Sequence, residues 1–346
     1  MKHGIFIRDA EQISIQCPLC EAWMDEPILH DEPYVRAADP DFRQWLAPAE
    51  SRRLGKILKR ALVINMQIAR KCGTDPADAI LVGTGLGCME NTERLLDTLC
   101  HDGEETFSPT HFMQSTHNTI ASLMAIHDHA HGYNITYSHK DLSFDLALHD
   151  AWTQFRLGKI HSALVGGFDE LTPSYFTLLR RIGYLGADGQ GPGSEAAAAL
   201  LLTDDCREAM CEVAAMRILY RPEGDELRAG VDKVLDEARM DRDELDGVIT
   251  GVNGQREGDA RYDRFTRELL PGVPTLRYKH LFGSSYTASA YAAYVAAHCL
   301  QKGRIPEHLL YGGTKLRSGR PRALLIVNER RGKEYSLLLL RRGWED

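Results

Sequence analysis

From His131 to Glu170 the chain reads HGYNITYSHKDLSFDLALHDAWTQFRLGKIHSALVGGFDE, and this stretch restricts the fold severely. NITYS has strand composition. After a tight turn, Phe144, Ala147, Leu148, Ala151 and Phe155 recur at helical spacing, a buried stripe. IHSALVGGFDE is a second strand with a glycine-rich end. A strand, a tight turn, a long helix and another strand imply a largely parallel sheet with helices packed on it. Such a layout presents one side chain at the start of the helix, and here the residue at the bend is Asp141.

The rest of the chain follows the same alternation. DAILVGTGLG (78–87) reads as a buried strand entering a glycine turn. THNTIASLMAIHDHAHG (116–132) reads as a helix stopped by Gly132. SEAAAALLLTD (194–204) is a further strand despite its alanines. The second half parallels the first: DGVITGVNG (246–254) matches DAILVGTGLG, and FGSSYTASAYAAYVAAHCLQKG (282–303) matches MQSTHNTIASLMAIHDHAHG. The expectation is one body spanning 1–346 with pseudo-repeat halves 1–205 and 206–346, since no Pro-, Gly- or Ser-rich linker divides them.

With 41 basic and 49 acidic residues the net charge is −8, which argues against nucleic acid as a partner. No apolar run approaches a membrane span, no signal peptide is evident, and eight scattered cysteines suit a reduced, cytoplasmic protein. CPLC (17–20) is a lone CxxC without a second pair, read as buried or incidental thiols rather than a metal or redox site.

Several separated segments resemble the β-ketoacyl synthase branch of the thiolase superfamily. Gly132, Asp141 at the cysteine position, Ala151, Gly158, Gly166, Gly167 and Asp169 match that family's strand-turn-helix frame without a gap. Pro109 and Asn118 keep its Pro-to-Asn spacing, SEAAAALLL stands at its G-E-G-A-G segment, and KHLFGSS keeps Lys279 and Gly283 of its K-x-x-x-G-H segment. The resemblance implies an α/β thiolase-like fold: duplicated βαβαβ halves in a layered αβαβα core. It also implies a dimer that buries a strand and loops around the nucleophile turn.

The departures concern the chemistry. A condensing synthase needs a thiolate at a helix N-terminus and two imidazoles, or an imidazole and an amide, at an oxyanion. Asp141 replaces the thiol, Asn253 stands at or near the first histidine and Ser284 at the second. Lys279 is retained, and of the C-terminal glycine motif RRGKEYSLLLL keeps Gly332 alone. A carboxylate at 141 would form an unstable mixed anhydride and would face malonyl's own charge, with a repulsion of roughly 4 kcal/mol at about 4 Å and an effective dielectric near 20. Asp141 is therefore expected to cap the helix, with Lys279 a candidate ion-pair partner. The pattern resembles chain-length-factor-like subunits, and AEQISIQCPLCEAWMDEP, SRRLGKILKRA and MQSTHNTIAS look most like proteins of aryl-polyene, flexirubin and dialkylresorcinol pathways. Implied partners are an active ketosynthase or a second copy, and acyl carrier protein; no cofactor and no metal are implied. The alternative is an atypical acyltransferase or malonyl decarboxylase using Asn253, Ser284 and Lys279.

Weaker signals have blander readings. GTGLG (83–87) lacks the spacing of a dinucleotide site and reads as tight-turn glycines. His127, His129 and His131 at alternate positions do not share a helix face. Cys88 reads as a buried thiol. The basic stretch at 51–60, with Arg52, Arg53, Lys56, Lys59 and Arg60, is a candidate docking helix for an acidic carrier protein or else a solvated face.

Overall fold

The computed structural model describes residues 4–73, 76–104, 108–187 and 189–343. Among these residues are ten strands, with helices between most of them: β1 (Phe6–Ile13), β2 (Ala79–Gly83), β3 (Tyr133–Tyr137), β4 (Ser162–Asp169), β5 (Ala196–Thr203), β6 (Cys211–Tyr220), β7 (Gly247–Thr250), β8 (Thr275–Arg277), β9 (Ala323–Arg330) and β10 (Glu334–Arg341). They form one sheet in the order β3-β2-β4-β5-β1-β6-β10-β9-β7-β8. From either edge inward, three parallel strands are followed by antiparallel ones, and β1 meets β6 through Phe6–Glu212 and Ile7–Cys211. Each half thus repeats the same strand order, the duplicated architecture expected.

Three apolar clusters build the layers. The central one joins Phe144, Ala147, Leu148 and Ala151 of the Ser143–Arg156 helix to Tyr291, Tyr294 and the alanines of the Ser289–Lys302 helix, with strands of both halves around them. The Ser289–Lys302 helix is apolar nearly all round because it is enclosed on every side, as such a helix must be. Outer clusters pack the Lys56–Cys72 and Thr119–Asp128 helices on one half, and the Glu226–Ala238 and Arg256–Leu269 helices on the other.

The strand order corrects one sequence parallel. The Ser289–Lys302 helix lies between β8 and β9, so its counterpart is the Ser143–Arg156 helix between β3 and β4, not the Thr119–Asp128 helix between β2 and β3. Alanine-rich composition marked burial rather than equivalence. Gly132 is likewise not the helix stop. His129, left-handed at φ 54°, ends the Thr119–Asp128 helix. Gly132 instead lets two backbones touch: a Cβ there would sit 2.0 Å from the Asp78 carbonyl oxygen.

Two paired glycines, Gly83 on β2 and Gly167 on β4, set the central helices against the sheet. A Cβ at Gly83 would lie 2.3 Å from the Phe144 nitrogen, and one at Gly167 would lie 2.8 Å from the Ala290 Cβ. Both central helices therefore begin hard against strand ends, which fixes the position of the bend carrying Asp141.

Candidate functional site

The bend is a turn at Lys140–Leu142 running directly into the Ser143–Arg156 helix. Lys140 takes a left-handed conformation at φ 50°, a strained setting for a residue with a side chain. Local bonds hold it. Ser143 Oγ donates to the Lys140 carbonyl at 2.7 Å and accepts from the His139 amide, while Asn328 Nδ2 on β9 donates to both the Asp141 carbonyl and the Asp145 carboxylate. Asp145 is buried and also accepts from Ser289 Oγ at 2.8 Å, so this carboxylate ties the two central helices and β9 together.

Asp141 does not cap the helix. The residue before the first helical turn is Leu142, and no side chain caps that end. The Asp141 carboxylate faces a cleft instead, where its Oδ1 accepts from the Tyr184 hydroxyl at 2.5 Å and its Oδ2 lies 3.8 Å from Arg330 Nε. Tertiary partners outcompete the helix N–H groups because Tyr184 and the Arg330 hairpin arrive from distant parts of the chain. Desolvation raises the Asp141 carboxyl above its ordinary range; the Tyr184 hydrogen bond and the charges of Lys279 and Arg330 pull against it.

The cleft encloses about 410 Å³ and brings together Asp141, Asn253, Lys279 and Ser284, the four positions singled out by sequence. Asn253 Nδ2 donates to Ser284 Oγ at 3.1 Å, and Asn253 Oδ1 accepts from the Gln255 amide. Lys279 and Asp141 share the cleft without a direct ion pair; the lysine is felt by Asp141 as a charge at longer range. Among the described residues that line the cleft there is neither a cysteine nor a histidine. The charged lining is mixed: Asp141, Glu257, Asp259 and Glu329 against Arg261, Lys279, Arg330 and Arg331. Arg261 Nε binds both Glu329 oxygens at 3.0 Å, and Gly332 N donates to Glu329 at 2.7 Å, so the β9–β10 hairpin is tied to the site. The arrangement can bind and orient polar groups and supply hydrogen-bond donors, and its described lining holds no thiol and no imidazole.

Tyr184, Arg330 and Asp145 had escaped sequence reading. Gly332, the one retained residue of its motif, pointed to the hairpin that carries Arg330; no local pattern marks Tyr184.

The remaining sequence candidates fall elsewhere. Asp169 is buried, and its Oδ1 accepts from the Gly85 and Leu86 amides at 2.8 Å and from Thr84. The GTGLG amides are thus occupied by an internal carboxylate, and burial pushes that carboxyl up to about 6. Cys88 is fully buried, and burial drives its thiol well above the usual range. Cys17 is exposed rather than buried, and the hydrogen bond with Cys20 pushes it up to about 11. His127 binds its neighbour Asp128.

The basic stretch does not form one docking face. Arg60 is 0% exposed and ion-paired to Asp39 Oδ1 at 2.5 Å and Glu195 Oε2 at 2.9 Å. Lys56 also pairs with Asp39, Lys59 lies over the Phe42 ring, and Arg52 and Arg53 alone are exposed. The apolar spacing of the Lys56–Cys72 helix turns Arg60 inward with Ile57, Leu58 and Ala61.

Together, the mirrored five-strand halves, the two enclosed central helices and a cleft at the bend before one of them define a thiolase-like ketosynthase scaffold. The chain belongs to the β-ketoacyl synthase family: the description "beta-ketoacyl synthase, N-terminal domain" matches residues 21–229. No curated protein matches the chain in sequence. Among solved structures it is similar in fold to the ishigamide ketosynthase/chain length factor, at 16% identity and TM-score 0.82 over 99% of this chain and 100% of that one. It is similar to a β-ketoacyl synthase from Burkholderia phymatum STM815, at 14% identity and TM-score 0.82, covering 99% and 100% of the two chains. It also resembles a chain of the complex of ketosynthase ApeO with its chain length factor ApeC from Xenorhabdus doucetiae, at 15% identity and TM-score 0.79, covering 99% and 98%. Among the described residues no helix is long and apolar enough to cross a membrane.

Proposed function

We propose that this chain is a ketosynthase-like subunit without the acyl-accepting nucleophile at its bend, acting as a chain-length-factor-type partner of an active ketosynthase in fatty-acid or polyketide synthesis of the aryl-polyene kind. One observation carries the reading: the side chain at the bend is a carboxylate held by Tyr184 and Arg330 in a cleft without thiol or imidazole. A carboxylate already committed to a tyrosine and an arginine is a poor acyl acceptor, and its charge disfavours malonyl beside it. The likeness to chains from ketosynthase–chain length factor complexes supports a protein partner. So does the outer edge of β3, which no strand covers among the described residues. Acyl groups would arrive on a carrier protein, with Arg52 and Arg53 the exposed basic candidates at the 51–60 stretch.

The experiment is co-expression with a ketosynthase encoded beside this gene, followed by size-exclusion chromatography and acyl labelling. A one-to-one complex in which only the partner takes label supports the proposal. A second reading, a malonyl decarboxylase, draws on Ser284: its oxygen accepts from Asn253, so its own proton can be donated to an enolate oxygen. Release of CO₂ from malonyl-loaded carrier protein by this chain alone would favour that reading and overturn the first.

A further inference from the structure

Lys279 is an uncommitted group of the cleft. Each acid in its field is engaged elsewhere: Glu329 by Arg261 and the Gly332 amide, Asp259 by the Asn253 and Gly254 amides, Asp141 by Tyr184, and Asp145 by Ser289 and Asn328. Among the described residues, none accepts a hydrogen bond from the amine or lies within ion-pair distance of it. Gly251 makes room for it. A Cβ at Gly251 would sit 3.1 Å from Lys279 Nζ and 2.6 Å from Tyr262 Oη. An amine without a partner in a cleft is available as a nucleophile, because desolvation favours its neutral form. Desolvation holds Lys279 below the ordinary lysine range in spite of the acids around it. The same cleft holds Ser284, whose oxygen accepts from Asn253 and whose proton is therefore available to a second carbonyl.

We propose that Lys279 is a covalent carbonyl-binding residue that condenses with a β-dicarbonyl compound, with Ser284 hydrogen-bonded to the second carbonyl. The amine nitrogen bonds to the keto carbon. The keto oxygen leaves as water, carrying one amine proton and one proton of the intervening methylene, and the product is an enaminone. No oxidant or reductant is involved. The inference concerns an amine and a carbonyl and does not depend on a ketosynthase partner.

The test incubates the purified full chain with 2,4-pentanedione at neutral pH, follows the near-ultraviolet enaminone band, and locates the adduct by peptide mass mapping. One equivalent is expected, on the peptide containing Lys279. It should form faster than on exposed lysines such as Lys159, Lys315 and Lys333, since a lowered amine pKa raises the free-amine fraction. K279R, which keeps a cation but forms no enaminone, should lose the fast phase with an unchanged melting temperature. G251A, which keeps the lysine but crowds its amine, should slow the phase. A wild-type adduct absent from Lys279, or spread evenly over exposed lysines, overturns the proposal whatever the variants do. That failure would leave the absence of a labile acyl-enzyme untouched, so the two readings fail separately.

Discussion

Replacing Arg60 with alanine separates a structural role from a docking role. The guanidinium is wholly buried between Asp39 and Glu195, at 2.5 and 2.9 Å, and Glu195 is itself 5% exposed, with the Ala37 amide as a further donor. Removing one member of a buried ion pair strands the other charge and costs about 3–5 kcal/mol. For a chain of 346 residues, whose unfolding entropy at the midpoint is about 0.7 kcal/mol per kelvin, this lowers the melting temperature by about 4–7 °C. Urea titration followed by tryptophan fluorescence reads the loss, and R52A and R53A, at exposed positions, should each shift stability by no more than about 0.5 kcal/mol. Carrier-protein affinity measured on folded R60A should be unchanged. A loss under about 1 kcal/mol, together with weakened carrier binding, would refute the reasoning and return Arg60 to the surface role.

Further predictions concern the site and its supports. Y184F removes the hydroxyl that donates to Asp141 and should raise that carboxyl by a further one to two pH units, since a hydrogen bond to a charged group contributes about 1.5–3 kcal/mol; carbon-13 NMR titration of labelled aspartate reads it. Burial raises Asp169 from 3.8 to about 6 and Glu170 from 4.5 to about 7, so the native state binds their protons more tightly than the unfolded chain does. Stability should therefore fall as pH rises from about 4 to about 7, and D169N, which keeps the accepting oxygen, should flatten the lower part of that slope by about 3 kcal/mol in pH-dependent urea titrations. G83A places a methyl 2.3 Å from the Phe144 nitrogen and should destabilise by about 1–3 kcal/mol while disturbing the Asp141 bend, seen as changed amide exchange at 140–145.

The elements legible in the sequence were those with one dominant periodicity. The stripe Phe144–Phe155 and the strands at 79–83, 162–169, 196–203 and 247–250 each carry a pattern that burial alone explains. Where tertiary contacts compete with local preference, the sequence misled. Asp141 has the composition of a helix cap, yet Tyr184 and Arg330 claim its oxygens from 43 and 189 residues away. Arg60 belongs to a run of surface-like charges, yet two acids on other segments draw it inside. Gly132 looks like a helix stop and is a backbone contact. Asn253 and Ser284 were separately placed by resemblance, and their mutual hydrogen bond could be known only once β7 and the segment after β8 were folded together.

The absence of an acyl acceptor at the bend is tested most directly by intact-mass spectrometry of this chain alone after incubation with an acyl-loaded carrier protein, with and without hydroxylamine. A chain whose mass stays unchanged is the predicted result. A hydroxylamine-labile acyl adduct, abolished by D141N, would contradict it.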